Sequence, residues 1–132
     1  MQYDIIIIGA GPGGYVCAIR CAQLGMKVAI IEKRKTLGGT CLNVGCIPSK
    51  ALLDSSEHFH NAQKNFATHG IKIPAPKVDL PQMIKRKQEV VDQTTGGIDF
   101  LMKKNNITVH YGTGSFVDAN TCLLYTSDAA DE

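Results

Sequence analysis

The sequence predicts an α/β fold, a parallel sheet with helical crossovers. Three observations carry this. Two β-branched runs, Tyr3–Ile8 and Lys27–Ile31, are too short for helices and flank a segment with helical spacing. A glycine-rich turn, Gly9–Gly14, joins the first run to that segment. A third β-branched run, Ile107–Tyr111, follows a long stretch with helical periodicity. Strands separated by helices pair in parallel, and their crossovers are right-handed.

The elements follow in order. Gly13–Leu24 reads as a helix whose small residues, Gly14, Ala18, Cys21 and Ala22, let it lie close on a sheet, with Gly25 as its C-cap. Glu32 ends the second strand. Leu37–Lys50 is a glycine- and cysteine-bearing segment, and Ser49–Phe66 a polar helix. Proline breaks His69–Lys77 into a loop. Asp79 is the predicted N-cap of the next helix, with Pro81 tolerated in its first turn. An apolar stripe then runs Leu80, Met83, Ile84, Val91, Ile98, Leu101, Met102, weakened by Gly96-Gly97. Ser115–Val117 begins a small antiparallel addition. Residues 1–122 are expected to form the domain. Leu123–Glu132 lacks Lys and Arg, holds three acids, and is expected to be a non-native tail.

Composition excludes several classes. Of 132 residues, 44% are hydrophobic, enough for a core, and 14 Lys+Arg against 12 Asp+Glu leave a net charge of +2. That balance fits neither a polybasic nucleic-acid arm nor an acidic disordered tail. No apolar run nears the ~20 residues that span a bilayer, and no signal-peptide pattern opens the chain. The expectation is a cytoplasmic protein with no nucleic-acid and no membrane partner. Five cysteines, an odd number, argue against an extracellular disulfide scaffold.

Gly9-Ala10-Gly11-Pro12-Gly13-Gly14 satisfies G-x-G-x-x-G. The pattern gains weight because it follows a strand and opens a helix, and Glu32 stands at the end of the next strand, 18 residues beyond Gly14. Gly9 permits the tight turn, Gly11 a close approach to a pyrophosphate, and Gly14 close packing of helix and strand. The helix N-terminus offers amide donors to phosphate. Glu32 can accept from a ribose diol, and its charge repels a 2′-phosphate. The bland alternative is a tight turn and a solvated Glu. The motif does not separate FAD from NAD.

Four residues separate Cys41 and Cys46 in Gly38-Gly39-Thr40-Cys41-Leu42-Asn43-Val44-Gly45-Cys46-Ile47-Pro48-Ser49-Lys50. A disulfide between them would close so short a loop that it would stabilise the fold by only about 2 kcal/mol before strain, which suits a bond meant to open. A metal site is the first alternative, against which stands the absence of C-x₂-C spacing and of a second ligand pair. Two inert thiols are the other.

This stretch, continued by Ala51-Leu52-Leu53, resembles the redox-active disulfide of the flavin-dependent pyridine nucleotide–disulfide oxidoreductases. Within that family it is most similar to the lipoamide dehydrogenase branch. Thr95-Gly96-Gly97-Ile98 and Gly112-Thr113-Gly114-Ser115-Phe116 fit the same pattern. The resemblance implies a Rossmann-like FAD-binding domain, truncated and so incomplete within these 132 residues. Gly9, Gly11 and Gly14 would hold the FAD pyrophosphate and Glu32 its ribose. Lys33, Gly39 and Thr40 would line the cofactor, and Gly114 would lie near the adenine. Cys46 would face the flavin and Cys41 would be the outer, interchange thiol. Lys50 would sit near the flavin and tune its reduction.

The implied reaction is dihydrolipoamide plus NAD⁺ giving lipoamide plus NADH. The implied partners are the lipoyl domain of a 2-oxoacid dehydrogenase complex or a glycine-cleavage carrier, within a homodimer. The segment alone would be inactive. A mercuric or other disulfide reductase of the same family, and a non-catalytic dinucleotide-binding module, are the competing readings. His58, His60 and His69 read as surface residues. Cys17 and Cys21 share a helix face and read as small packing residues. The clusters Lys33-Arg34-Lys35 and Lys85-Arg86-Lys87 read as solvated faces, and Cys122 has no role.

Overall fold

The structure, a computed structural model, describes residues 1–126. Three parallel strands, β1 (Ile5–Ile8), β2 (Val28–Glu32) and β3 (Thr108–Tyr111), form one sheet in the order β1-β2-β3. The register sets Ile7 opposite Ile30 and Ile30 opposite Val109. The order is that of one half of a doubly wound sheet. The α/β fold class predicted from sequence is therefore observed.

Helix α1 (Pro12–Gln23) crosses from β1 to β2. Its Ala18 is fully buried in the core shared with Val28 and Ile30 of the sheet. It ends at Leu24, and Gly25 follows at φ 88°. The second crossover is longer: α2 (Gly39–Asn43), α3 (Cys46–Lys64), a 3-10 turn at Phe66–His69, and α4 (Leu80–Lys104). The third layer is a hairpin of β4 (Thr113–Asp118) and β5 (Thr121–Tyr125).

The alternation of strand side chains separates the two faces of the sheet. Val28 and Ile30 join Ala18, Leu42, Ile98, Met102 and Ile107 in the core beneath the helices, with Ile5, Ile7 and Val109 packed against them. On the opposite face, a Cβ on Gly114 of β4 would lie 3.1 Å from Ile31 and 3.4 Å from Ile8. Glycine there lets the hairpin settle on the sheet. All five residues of β2 are buried, as expected of a middle strand covered on both faces.

Several boundaries depart from expectation. Helix α3 starts at Cys46, three residues before the predicted Ser49, because Pro48 is tolerated in a first turn. Asp79 caps α4 as predicted, its Oδ1 accepting from Gln82 N at 3.1 Å. Yet the buried face of α4 is Val91, Thr95, Ile98 and Met102, while Leu80 and Ile84 are exposed where the helix runs past the core. Gly96-Gly97 does not interrupt α4; a Cβ on either would meet nothing within 4 Å. The short α2 falls in the glycine-cysteine segment, where the sequence predicts no helix. The expected tail boundary at Leu123 falls inside β5, and 127–132 lie outside the described residues.

Candidate functional site

The carboxyl ends of the three parallel strands are tied together by backbone bonds. Gly9 N donates to Ile31 O at 2.7 Å, Gly112 N to Glu32 O at 2.8 Å, and Gly38 N to Ala10 O at 2.8 Å. Around this point opens a cleft of about 830 Å³. Its walls carry Gly9, Gly11, Glu32, Lys33, Gly39, Thr40, Cys41, Cys46 and Gly114. The glycine motif, the acid at the second strand end and the cysteine pair, up to 37 positions apart in sequence, therefore share one cavity.

Gly14 and Lys50 do not line it. Gly14 faces back onto the turn, where a Cβ would stand 1.8 Å from the Gly9 carbonyl oxygen. It shapes the cradle from behind. Lys50 lies one turn into α3 and is exposed.

Gly11 is the N-cap of α1 with no side-chain cap, and Pro12 follows in the first turn. The amides of Gly13 and Gly14 therefore lead a positive helix end with no side chain covering it. Gly39, at φ 64°, packs against Gly11 so closely that a Cβ would come within 2.6 Å of the Gly11 Cα. The glycine turn and the cysteine loop are thus in backbone contact.

Glu32 is 5% exposed, not the solvated acid of the bland reading. Its Oε2 accepts from Ala10 N and its Oε1 from Arg34 N, both at 2.9 Å. Each carboxylate oxygen retains acceptor capacity toward the cleft. Glu32 thereby takes a second role, as a staple between the glycine turn and the end of β2, which sequence reasoning misses. It also misses the place of Arg34, Gly112 and Thr113 on the wall. Backbone N–H donors leave no side-chain signature in a sequence.

Cys41 and Cys46 are both free thiols, so the disulfide implied by resemblance is not formed in this structure. They still face one another. Hydrogen bonding to Cys46 raises the Cys41 pKa above the ordinary thiol value, burial raises it further, and the Lys50 charge pulls the other way. Cys41 is half-buried and Cys46 exposed, the latter as the first residue of the 19-residue α3. No side chain caps that helix end, so the first amides of α3 are left open beside Cys46.

The other cysteine pair differs from expectation. Cys21 packs against the core, but Cys17 is exposed, their sulfurs 4.0 Å apart. They do share a face of α1, as four-residue spacing requires, but only Cys21 reaches the core, while Cys17 stands at the solvent edge of that face. Arg86 is likewise more than a solvated charge. It donates to Ala51 O at 3.1 Å, Ser55 Oγ at 3.2 Å and Asp54 Oδ2 at 3.1 Å, locking α4 to α3. His58, His60 and His69 are exposed, as read from sequence. Among the described residues no three His, Cys, Asp or Glu side chains converge on a metal-sized site.

The family model described as pyridine nucleotide-disulphide oxidoreductase matches residues 3–130. The chain belongs to this family. It is 53% identical over 130 residues to dihydrolipoyl dehydrogenase 1, mitochondrial, of Arabidopsis thaliana, covering 98% of this chain and 26% of that protein. It is 51% identical over 129 residues to the mitochondrial dihydrolipoyl dehydrogenase of Schizosaccharomyces pombe, covering 98% and 25%. It is 52% identical over 124 residues to the dihydrolipoyl dehydrogenase of Cupriavidus necator, covering 88% and 26%. The chain thus spans about a quarter of these relatives' length. The mitochondrial names overturn the cytoplasmic expectation. That expectation rested on the absence of a targeting pattern, which says nothing about a chain matching part of its relatives.

Proposed function

We propose that this segment is the FAD-binding and dithiol-bearing part of a dihydrolipoyl dehydrogenase, oxidising dihydrolipoamide to lipoamide with NAD⁺ as electron acceptor. The observation that carries the reading is the single cleft walled by Gly9, Gly11, Glu32, Cys41 and Cys46. The residues fit FAD. The bare end of α1 and the Gly9–Gly11 backbone suit a pyrophosphate, and Glu32 presents acceptors to a ribose. Lys33, Gly39 and Thr40 flank that path, and Gly114 lies on the side where β4 meets the sheet.

Bound FAD would supply two-electron transfer between the thiol pair and NAD. The chain's own residues provide the sulfur chemistry. In the oxidised enzyme, a substrate thiolate attacks Cys41 of a Cys41–Cys46 bond, and Cys46, the first residue of α3, leaves as thiolate. The second substrate thiol then displaces Cys41, closing the lipoyl disulfide and leaving two electrons on the enzyme pair. Cys41 Sγ keeps the proton, in line with its raised pKa. Lys50, near the pair, adds positive potential. The partners in this reading are a lipoyl domain of a 2-oxoacid dehydrogenase complex or a glycine-cleavage carrier, and a second copy of the chain.

Absorbance of the full-length flavoprotein tests the roles of the two sulfurs. Cys41→Ser should leave a thiolate at Cys46 and show long-wavelength absorbance without reduction, whereas Cys46→Ser should retain FAD and never show it. The reverse pattern would exchange the assignments, and a protein that binds no flavin would end the reading.

A further inference from the structure

We propose that Asn43 is a positioning residue that sets the redox poise of the Cys41/Cys46 pair by clamping the short helix carrying Cys41. The inference rests on the reading of that pair as the redox centre. Asn43 is the last residue of α2, two positions after Cys41 and three before Cys46. Its carboxamide is used at both ends. Oδ1 accepts from Thr36 Oγ1 at 2.6 Å, and Nδ2 donates to Leu37 O at 3.1 Å and Gly39 O at 2.8 Å. One side chain therefore ties the end of α2 to the chain entering it.

The helix needs such a tie. It has five residues, far below the ~12–15 at which isolated helices become marginal in water. Its N-cap, Gly38, sits at φ 102° with no side-chain cap, and Gly39 follows at φ 64°. Both glycines are entropically costly to fix. They must nevertheless be fixed, because Gly38 N holds Ala10 O and the Gly39 Cα lies against Gly11. Leu42 of the same helix is buried and would meet a Cβ on Gly38 at 2.6 Å, which closes the turn from the inside. The Asn43 clamp thus holds Cys41 in register with the glycine cradle, and so fixes one of the two sulfurs of the pair. Disulfide formation is a ring closure, so its equilibrium constant reports how well one sulfur is held near the other. Loosening the clamp lowers that constant and leaves the pair more often as the dithiol.

The test uses the full-length flavoprotein, equilibrated with dithiothreitol redox buffers and trapped by thiol alkylation. Asn43→Ala should shift the Cys41/Cys46 equilibrium toward the dithiol by about tenfold, a rise of about 30 mV in midpoint potential. Asn43→Asp keeps the Thr36 bond but turns a carboxylate oxygen on two carbonyls, and should shift at least as far. Thr36→Val removes one exposed donor and should shift it by about threefold in the same direction, the size of one net hydrogen bond. It also decides the matter if Asn43→Ala loses flavin. An equilibrium within twofold of wild type, or a shift toward the disulfide, overturns the inference. If instead the wild-type pair forms no disulfide in any buffer, the underlying reading of the site fails and not the clamp alone.

Discussion

A methyl group added at Gly14 should damage the site, while the same methyl at Gly13 should not. At Gly14 an ideal Cβ lies 1.8 Å from the Gly9 carbonyl oxygen and 2.9 Å from its carbonyl carbon. Ordinary contact begins near 3.4 Å, so the two must part by about 1.6 Å. The obstacle is backbone and cannot swing aside as a side chain would. Either α1 lifts from β1 or the Gly9 peptide turns, and both displace the amides at the head of α1. Overpacking of this kind costs about 1–3 kcal/mol, and a backbone partner puts Gly14→Ala at the upper end. If the loop rather than the fold absorbs it, 2–3 kcal/mol becomes a roughly 30- to 150-fold loss in FAD affinity. At Gly13 the added Cβ meets nothing within 4 Å, and Ala is the better helix former by up to about 1 kcal/mol. The assay is a urea unfolding midpoint together with flavin retention on dilution, run on both variants of the full-length protein. Gly14→Ala with both readings at wild-type values, or equal damage from Gly13→Ala, would refute the close-packing argument.

Glu32→Ala should destabilise the apoprotein as well as weaken FAD binding, because the Ala10 and Arg34 amides lose their acceptors, at about 1–3 kcal/mol for each one left buried. An apoprotein with the wild-type urea midpoint would make the carboxylate a ligand only. Alkylation of Cys41 should require higher pH than a free cysteine, and Cys46→Ala should move its profile back down, since the Cys46 hydrogen bond is the foremost cause of the raised pKa. An unmoved profile would remove that cause. Arg86→Met should cost about 1 kcal/mol by breaking the link to Asp54, Ser55 and Ala51 O, with much of the loss persisting in high salt because two of those partners are uncharged. A loss that vanishes in salt would reduce the clamp to the Asp54 ion pair.

The strands, α1, and the cap of α4 were legible because each rests on a local rule. Four isoleucines in a row before a glycine have little choice but a buried strand, and Asp79 followed by Leu80-Pro81 marks a helix start. The early start of α3 was hidden by Pro48, which reads as a breaker in sequence and is a first-turn residue in the fold. The short α2 was hidden because its two leading glycines carry no helical signal. It exists through Leu42 burial and the Asn43 clamp, both tertiary. At the site, the residue types that carry chemistry could be read off, but the work of backbone donors could not. Glu32 as a staple depends on the amides of Ala10 and Arg34, and any residue but proline offers an amide.

The location of the cleft follows from the strand directions. Parallel strands all leave the sheet at the same end, and each exit here is a short turn, two leading into helical crossovers and the third into the hairpin. β1 leaves through Gly9, β2 through Glu32 and Lys33, and β3 through Gly112, and all four residues are on the cleft wall. A polar turn with unspent amides is costly to bury and productive to expose, so a parallel sheet concentrates ligand-binding groups at its carboxyl edge. In this chain the crossover leaving β2 passes through the short α2 before becoming a long helix. In doing so it lays Gly39 on Gly11 and brings Cys41 and Cys46 onto the wall the first turn already built. The contact tolerates no side chain at Gly39, since its Cβ would strike the Gly11 backbone at 2.6 Å. The glycine pair before Cys41 is therefore as much a part of the sulfur site as the sulfurs. A sequence with both cysteines but a larger residue at Gly39 would carry the thiols away from the cradle they are meant to serve.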